Sequence, residues 1–240
     1  MIVSTGSLMR HTWWMPEIQE VIRNAFEALE GLPGFSARPD QIQLSMLISD
    51  CIAEARCGAF EAPTGLGKSL AALVPALAHA AINNKRTVIA TYTNVLAEQY
   101  WRKDLPLASM LVKEKVKSEF LIGRQRYACL AAMADLPKAA TSQFKSHAQL
   151  GIETEFREHS RKFGKELSQL WQQISAPPVC PARLCPYYHE CYYYSARKSA
   201  ENAGVVITNH SVVLQDALVK KASQGELSLL GDYDFLVIDE

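Results

Sequence analysis

The sequence has no excess of charge of either sign: 25 Lys and Arg stand against 25 Asp and Glu in 240 residues. Net charge therefore argues neither for nor against nucleic acid, because a basic surface can be local and balanced elsewhere. No run of about 18 apolar residues is present, so no segment reads as a membrane-spanning helix. The opening MIVSTGSLMRHTWW holds one Arg and no long apolar stretch before a cleavage site, and so lacks the form of a signal peptide. These absences predict a cytoplasmic protein, away from membranes. In that compartment the six cysteines read as metal ligands or core fillers rather than disulfides. No C-x2-C pair, internal repeat or low-complexity tract occurs.

What is present is 48% apolar, enough for one sizeable core with a satellite domain or a large insertion. Residues 16–29 place Ile18, Val21, Ile22, Ala25, Phe26 and Leu29 at helical spacing, and Gly31, Leu32, Pro33 and Gly34 break that helix. A second helix starts at Arg38-Pro39-Asp40-Gln41 and runs through Ile52. Residues 59–62 read as a short strand, 69–81 as a nearly all-apolar helix, 87–91 as a buried parallel strand and 94–101 as another helix. This βα repetition predicts a mostly parallel sheet with helices outside. Residues 107–203 then carry few strand-like runs and four of the six cysteines. Strand signals return at Val205-Val206-Ile207-Thr208 and at Phe235-Leu236-Val237-Ile238. The expected organisation is one α/β domain, 1–106 and 204–240, interrupted by an insertion at 107–203.

The strongest motif is Ala62-Pro63-Thr64-Gly65-Leu66-Gly67-Lys68-Ser69, whose last five residues form the core of a P-loop. Its glycines let successive backbone N–H groups curl around phosphate oxygens. The following helix turns its positive end on the same phosphates. Lys68 can reach the β- and γ-phosphates, and the Ser69 hydroxyl can ligate Mg²⁺. Asp239-Glu240, at the end of a buried strand, is the natural second half of such a site. Asp239 belongs on the metal side, and Glu240 orients and deprotonates the attacking water. ATP is the expected nucleotide, since no guanine-reading motif is visible. Gln41 offers a donor and an acceptor together, which suits an adenine edge; read alone it is a surface helix residue.

Cys180, Cys185 and Cys191 follow as C-x4-C-x5-C, and Cys129 precedes them by 51 positions. Pro177, Pro178, Pro181 and Pro186 stiffen that stretch. Four thiolates so grouped hold either tetrahedral Zn²⁺ or a [4Fe–4S] cube, and the spacing leaves both open. Cys51 and Cys57, in and just after an apolar helix, read as core fillers. Basic residues around the cysteines, among them Lys113, Arg124, Arg126, Lys138, Arg157, Arg161, Lys162 and Arg197, are interleaved with Tyr127, Tyr187, Tyr188, Tyr192, Tyr193 and Tyr194. Such mixing can follow a phosphodiester backbone and stack on bases. It is equally consistent with solvated helix faces and with tyrosines packed around a metal loop.

Taken together these residues resemble the superfamily 2 iron–sulfur DNA helicases, specifically the bacterial DinG-like branch related to XPD. Arg38-x-x-Gln41 resembles the family's adenine-recognition motif, and residues 61–69 its motif I, with Leu66 and Ser69 at positions where Thr is frequent. Thr91-Tyr92-Thr93-Asn94 resembles motif Ia, which contacts the DNA backbone. Gly123-Arg124-Gln125-Arg126-Tyr127-Ala128-Cys129 resembles the G-R-x-N-Y-x-C run that leads to the first cluster ligand, with Arg126 in the usual Asn position. Cys180, Cys185 and Cys191 match the spacing of the other three ligands. Val206-Ile207-Thr208-Asn209-His210 matches the strand and loop before motif II, and Asp239-Glu240 begins the Asp-Glu-Ala-His box.

The resemblance implies a RecA-like P-loop motor domain carrying a mostly helical [4Fe–4S] insertion. It implies Cys129, Cys180, Cys185 and Cys191 as cluster ligands, with Ser69 and Asp239 on Mg²⁺. Arg38, Gln41, Thr64, Gly65, Leu66, Gly67, Lys68 and Ser69 would form the ATP site. Lys68, Asp239 and Glu240 would be catalytic, and Thr91, Thr93, Asn94, Arg124, Arg126, Tyr127, Asn209 and His210 would lie on DNA. The implied activity is ATP-driven 5′-to-3′ movement on single-stranded DNA, unwinding forked duplexes or R-loops, by a monomer that can meet single-stranded DNA-binding protein. Because a domain rarely stops at the tip of a core strand, the chain is expected to be the N-terminal portion of such a motor, with little helicase activity alone. The alternatives are a P-loop ATPase that does not unwind and a metal-containing nucleic-acid-binding module with an idle nucleotide site.

Overall fold

In a computed structural model, residues 2–5, 15–136, 142, 144–146, 148–160 and 165–240 are described. Lys138, Arg161 and Lys162 lie outside them. The chain divides into two compact units, one formed by Met1–Phe120 with Ala200–Glu240 and the other by Leu121–Ser199. No described helix is long and apolar enough to cross a membrane.

The first unit is α/β. Its strands are β1 (Ile2–Thr5), β2 (Gly58–Ala59), β3 (Thr87–Thr91), β4 (Ser118–Phe120), β5 (Val205–Asn209) and β6 (Phe235–Asp239), in the order β2-β1-β6-β3-β5-β4. β3 is parallel to β5 and β6, and β4 is parallel to β5, as the βα repetition predicts. β3 and β5 are buried along their whole length, which explains their continuous Val/Ile/Thr composition. The sequence reading missed β1 and β4. β1 runs antiparallel between β6 and β2. The strand before the P-loop is also earlier and shorter than expected, Gly58–Ala59 instead of 59–62.

The helices of this unit are α1 (Met15–Glu30), α2 (Pro39–Ala53), α3 (Lys68–Asn83), α4 (Asn94–Gln99) and α5 (Leu105–Val112), with a final helix at His210–Ala222. Ile18, Ile22, Ala25, Phe26 and Leu29 of α1 are buried, as their spacing requires. α2 begins with Pro39 at a first-turn position, where its missing N–H costs nothing. The stretch Leu70–His79 of α3 is buried, and His79 within it bonds the Ser49 hydroxyl at 3.1 Å. Burial pushes that imidazole down to about 4, so it is neutral near pH 7. Cys51 is a buried filler as read, but Cys57 is exposed: the chain leaves α2 before it and turns outward.

Arg86 ties the lower ends of the strands together. Its guanidinium donates to the carbonyls of Ala203 at 2.8 Å and Leu230 at 2.5 Å, and also to those of Ala200 and Asp232. Its own N–H donates to Asp234 at 2.9 Å. One side chain thus satisfies backbone acceptors on both segments leading to β5 and β6, which holds these strands in register with β3.

The second unit is helical, with α6 (Leu130–Ala134), α7 (Glu153–Ser160), α8 (Lys165–Ile174) and α9 (Tyr192–Ala200, all but its last residue within the unit); the last helix of the chain, His210–Ala222, is α10. Ala128, Leu130, Met133, Phe144, Phe156, Trp171 and Ile174 form its core. It begins at Leu121 rather than 107, because α5 packs on α1 and α3 while β4 pairs with β5.

Candidate nucleotide site and cysteine cavity

The parallel register sets one level for the ends of three strands: Thr91 of β3 stands opposite Asp239 of β6 and Asn209 of β5. Ligands of open α/β sheets gather outside such carboxyl ends. The loop from β2 arrives here with Gly65 at φ +79° and Gly67 at φ +86°, left-handed values that suit glycine. Gly67 is the residue before α3, so Lys68 and Ser69 open the helix at its positive end. Leu66 is buried and anchors the loop from within, while Thr64 and Gly65 are exposed.

Arg38 and Gln41 both meet this loop. Arg38 donates to the Gly65 carbonyl at 2.7 Å, and the Gln41 amide donates to the Gly67 carbonyl at 2.9 Å. Gln41 is only 4% exposed, so its amide is a prop for the loop rather than a surface group. A Cβ on Gly67 would collide with that amide. The resemblance assigns Gln41 to an adenine and its own helix makes it a surface residue; neither reading shows the loop contact.

Asp239 is 7% exposed. Its Oδ2 accepts from the Tyr100 hydroxyl at 2.5 Å, and its Oδ1 has no hydrogen-bond partner among the described residues. Glu240 follows it and is exposed. Ser69, at the start of α3, hydrogen-bonds the carboxylate of Asp104, which Gln99 also bonds. Sequence reasoning named neither Tyr100 nor Asp104.

The two loops beside β3 and β5 are stitched together. Thr91 is buried and donates to the Thr93 carbonyl at 2.9 Å, while the Thr93 hydroxyl caps α4 by accepting from Leu96 N–H at 3.2 Å. Asn209 caps α10 by accepting from Val212 N–H at 2.9 Å and donates to Asn94 Oδ1 at 2.5 Å. Tyr92 meets His210 edge to face at 6.0 Å. Thr91 and Asn209 thus set loop geometry, while Tyr92, Val95 and Ser211 are exposed. Two capped helix N-termini, of α4 and α10, lie on these adjoining loops, an arrangement suited to anions.

In the second unit, Cys129, Cys180, Cys185 and Cys191 line one cavity with Arg124, Tyr187, Tyr188, Tyr193 and Tyr194. Burial pushes the Cys191 thiol up against the hydrogen bonds of the Tyr194 and Tyr193 backbones, and neighbouring Cys129 and Cys180 add to the rise. Four thiols lining one cavity are the donor type that soft metals take. Among the described residues, no group of three or more His, Cys, Asp or Glu is gathered for a single metal ion.

The remaining sequence candidates of this unit are engaged internally. Arg124 donates to the Pro178 carbonyl, and Arg126 pairs with Glu153 at 2.6 Å. Tyr127 is 1% exposed and its hydroxyl accepts from Ile122 N–H at 3.2 Å, leaving no face for a base. Tyr188 packs on Tyr194, Tyr193 on Tyr127 and Tyr194, and Tyr192 on Phe144. Packing about the cysteine loop accounts for them.

No family model matches the chain. It is 31% identical over 220 residues to the ATP-dependent DNA helicase YoaA of Escherichia coli K12, covering 88% of this chain and 34% of that protein. It is 29% identical over 229 residues to YoaA of Haemophilus influenzae, covering 89% and 34%, respectively. It is 30% identical over 210 residues to the ATP-dependent DNA helicase DinG of Escherichia coli K12, covering 77% and 29%. The chain spans about a third of the length of the curated relatives it matches. Over most of its own length, the chain is homologous to the DinG/YoaA family of superfamily 2 ATP-dependent DNA helicases.

Proposed function

We propose that the chain is the nucleotide-binding and cluster-bearing part of a 5′-to-3′ DNA helicase driven by ATP. The observation that carries this is the linkage of the glycine loop to Asp239 through one turn, with Ser69 bonded to Asp104 and Tyr100 bonded to Asp239, in a chain homologous to YoaA and DinG. Lys68 is assigned to the β- and γ-phosphates, Ser69 and Asp239 to Mg²⁺, and Glu240 to the attacking water. Magnesium, when bound, neutralises charge on the phosphates. The loop N–H groups and the α3 N-terminus hold the phosphates, and Arg38 and Gln41 keep the loop in shape beneath the base.

Single-stranded DNA is assigned to the loops holding Thr93, Asn94 and His210, where two helix N-termini can receive phosphates. Thr91 and Asn209 support those loops. In the second unit, Arg124 supports the segment before Cys180 through the Pro178 carbonyl, Arg126 braces α7 through Glu153, and Tyr127 packs on Tyr193. Cys129, Cys180, Cys185 and Cys191 are assigned to a [4Fe–4S] cluster, supported by their shared cavity and the family likeness. Movement, unwinding and contact with single-stranded DNA-binding protein belong to a protein of the relatives' full length.

The experiment is unwinding by such a full-length protein containing this chain. Forked duplexes with a 5′ single-stranded arm are expected to open in the presence of ATP and Mg²⁺, and 3′-tailed duplexes are not. Lys68→Ala should abolish the opening. Opening of both tails alike, or none with either, would overturn this reading.

A further inference from the structure

Between α4 and α5 the helix does not run straight. Residues Tyr100–Asp104 form a π turn, closed by the Leu105 N–H donating to the Tyr100 carbonyl. Pro106 gives the reason, since it has no N–H for the Arg102 carbonyl and its ring crowds that carbonyl. A π turn holds an extra residue, and one residue is about 100° of rotation in an α-helix. Asp104 is therefore turned away from where straight α-helix would carry it.

Both ends of this turn reach the candidate nucleotide site. Tyr100 donates to Asp239 Oδ2 at 2.5 Å. Asp104 accepts from the Ser69 hydroxyl, and Gln99 steadies the same carboxylate. Tyr100, Asp104 and Asp239 are each more than nine-tenths buried, and Asp104 Oδ2 and Asp239 Oδ1 have no hydrogen-bond partner among the described residues. Buried carboxylate oxygens left bare are costly, and a cation is the group that relieves them.

We propose that Tyr100 and Asp104 are positioning residues for the divalent cation of the nucleotide site. Asp104 takes the Ser69 proton into a hydrogen bond, leaving the Ser69 lone pairs for the metal. Tyr100 occupies one oxygen of Asp239 and leaves the other free. The π turn sets the spacing between the two anchors, so a single local irregularity orients one ligand on the loop and another on β6. This inference rests on the nucleotide reading given above.

The test is titration of the 240-residue chain with a fluorescent ATP analogue, in Mg²⁺ and in EDTA. Wild type, Lys68→Ala, Tyr100→Phe, Asp104→Asn, Ser69→Ala and the Ser69→Ala/Asp104→Asn double variant are compared. For Tyr100→Phe and Asp104→Asn, the tightening that Mg²⁺ gives should shrink by about tenfold, the scale of one charge-assisted hydrogen bond. Their affinities in EDTA should match wild type. In the Ser69→Ala background, Asp104→Asn should cost nothing further, because its partner is already gone. Equal losses in Mg²⁺ and EDTA would mean a merely structural role and overturn the proposal, as would an unchanged Mg²⁺ effect in Tyr100→Phe. Tyr100→Phe loses one hydroxyl only and keeps the test valid if Asp104→Asn fails to fold. Absence of wild-type binding, or binding indifferent to Lys68→Ala, would instead overturn the nucleotide reading and this proposal with it.

Discussion

Gly67→Ala is expected to lower nucleotide affinity by about a hundredfold, the equivalent of roughly 3 kcal/mol. Two costs combine. Gly67 sits at φ +86°, where an L side chain is strained, and its Cβ would strike the Gln41 amide that props the loop. Relief requires either the loop or Gln41 to move, and both set where the N–H groups of the loop point. Gly65→Ala separates these causes: Gly65 has φ +79° but open space around the missing Cβ. It should lose about tenfold, from strain alone. Gly123→Ala is the control, since its φ is −56° and its Cβ meets nothing. Equilibrium titration with a fluorescent ATP analogue in Mg²⁺ reads all three. A Gly67→Ala affinity within threefold of wild type would show that the loop does not hold phosphate in the shape described.

Cys185→Ser is expected to remove the metal group from the second unit and with it much of that unit's stability. The unit has about 80 residues, near the size at which a hydrophobic core alone becomes marginal and a metal or another staple is needed. Its core at Ala128, Leu130, Met133, Phe144, Phe156, Trp171 and Ile174 adjoins the cavity through Ala128 and Leu130. Protein purified without oxygen should show a broad visible charge-transfer absorption, with iron and inorganic sulfide in equal amounts. Cys185→Ser should lack both and should be cut by protease within Leu121–Ser199 under conditions that spare wild type. Stoichiometric zinc without sulfide would replace the cluster by a single ion. Wild type with no metal at all would leave the cavity a packing feature.

The parts of the fold legible in the sequence are those whose signal is local. The period of α1, the all-apolar α3 and the Val/Ile runs of β3 and β5 each follow from which faces are buried. The glycine loop was legible because φ beyond +60° at Gly65 and Gly67 restricts the residue type. What escaped depends on partners distant in sequence. β1 has only four residues and pairs antiparallel with β6, more than 200 positions away. Arg86 looked like one basic residue before a strand, and its carbonyl partners lie more than 100 positions on. Gln41 faces the Gly67 carbonyl, 26 positions away, and nothing in its own helix shows this. Tyr127 looked like a stacking aromatic because its neighbours Arg124 and Arg126 are basic. It is buried and packs on Tyr193, 66 positions on, which its basic neighbours do not show.

The π turn lies between these cases. Pro106, well inside the helical run that starts at Asn94, signals a break in the hydrogen-bond ladder. It does not reveal that the break turns Tyr100 and Asp104 toward Asp239 and Ser69, because both contacts depend on the ends of other elements.

On the function proposed above, the glycine loop and Asp239 form an ATP site coupled to single-stranded DNA in a protein of the relatives' full length. The most direct measurement is steady-state ATP hydrolysis by that protein, with and without single-stranded DNA, for wild type and Lys68→Ala. Mg²⁺-dependent hydrolysis should rise at least about tenfold with DNA, on the scale of common allosteric couplings, and fall to background in Lys68→Ala. Hydrolysis indifferent to DNA, or equal in Lys68→Ala, would contradict it.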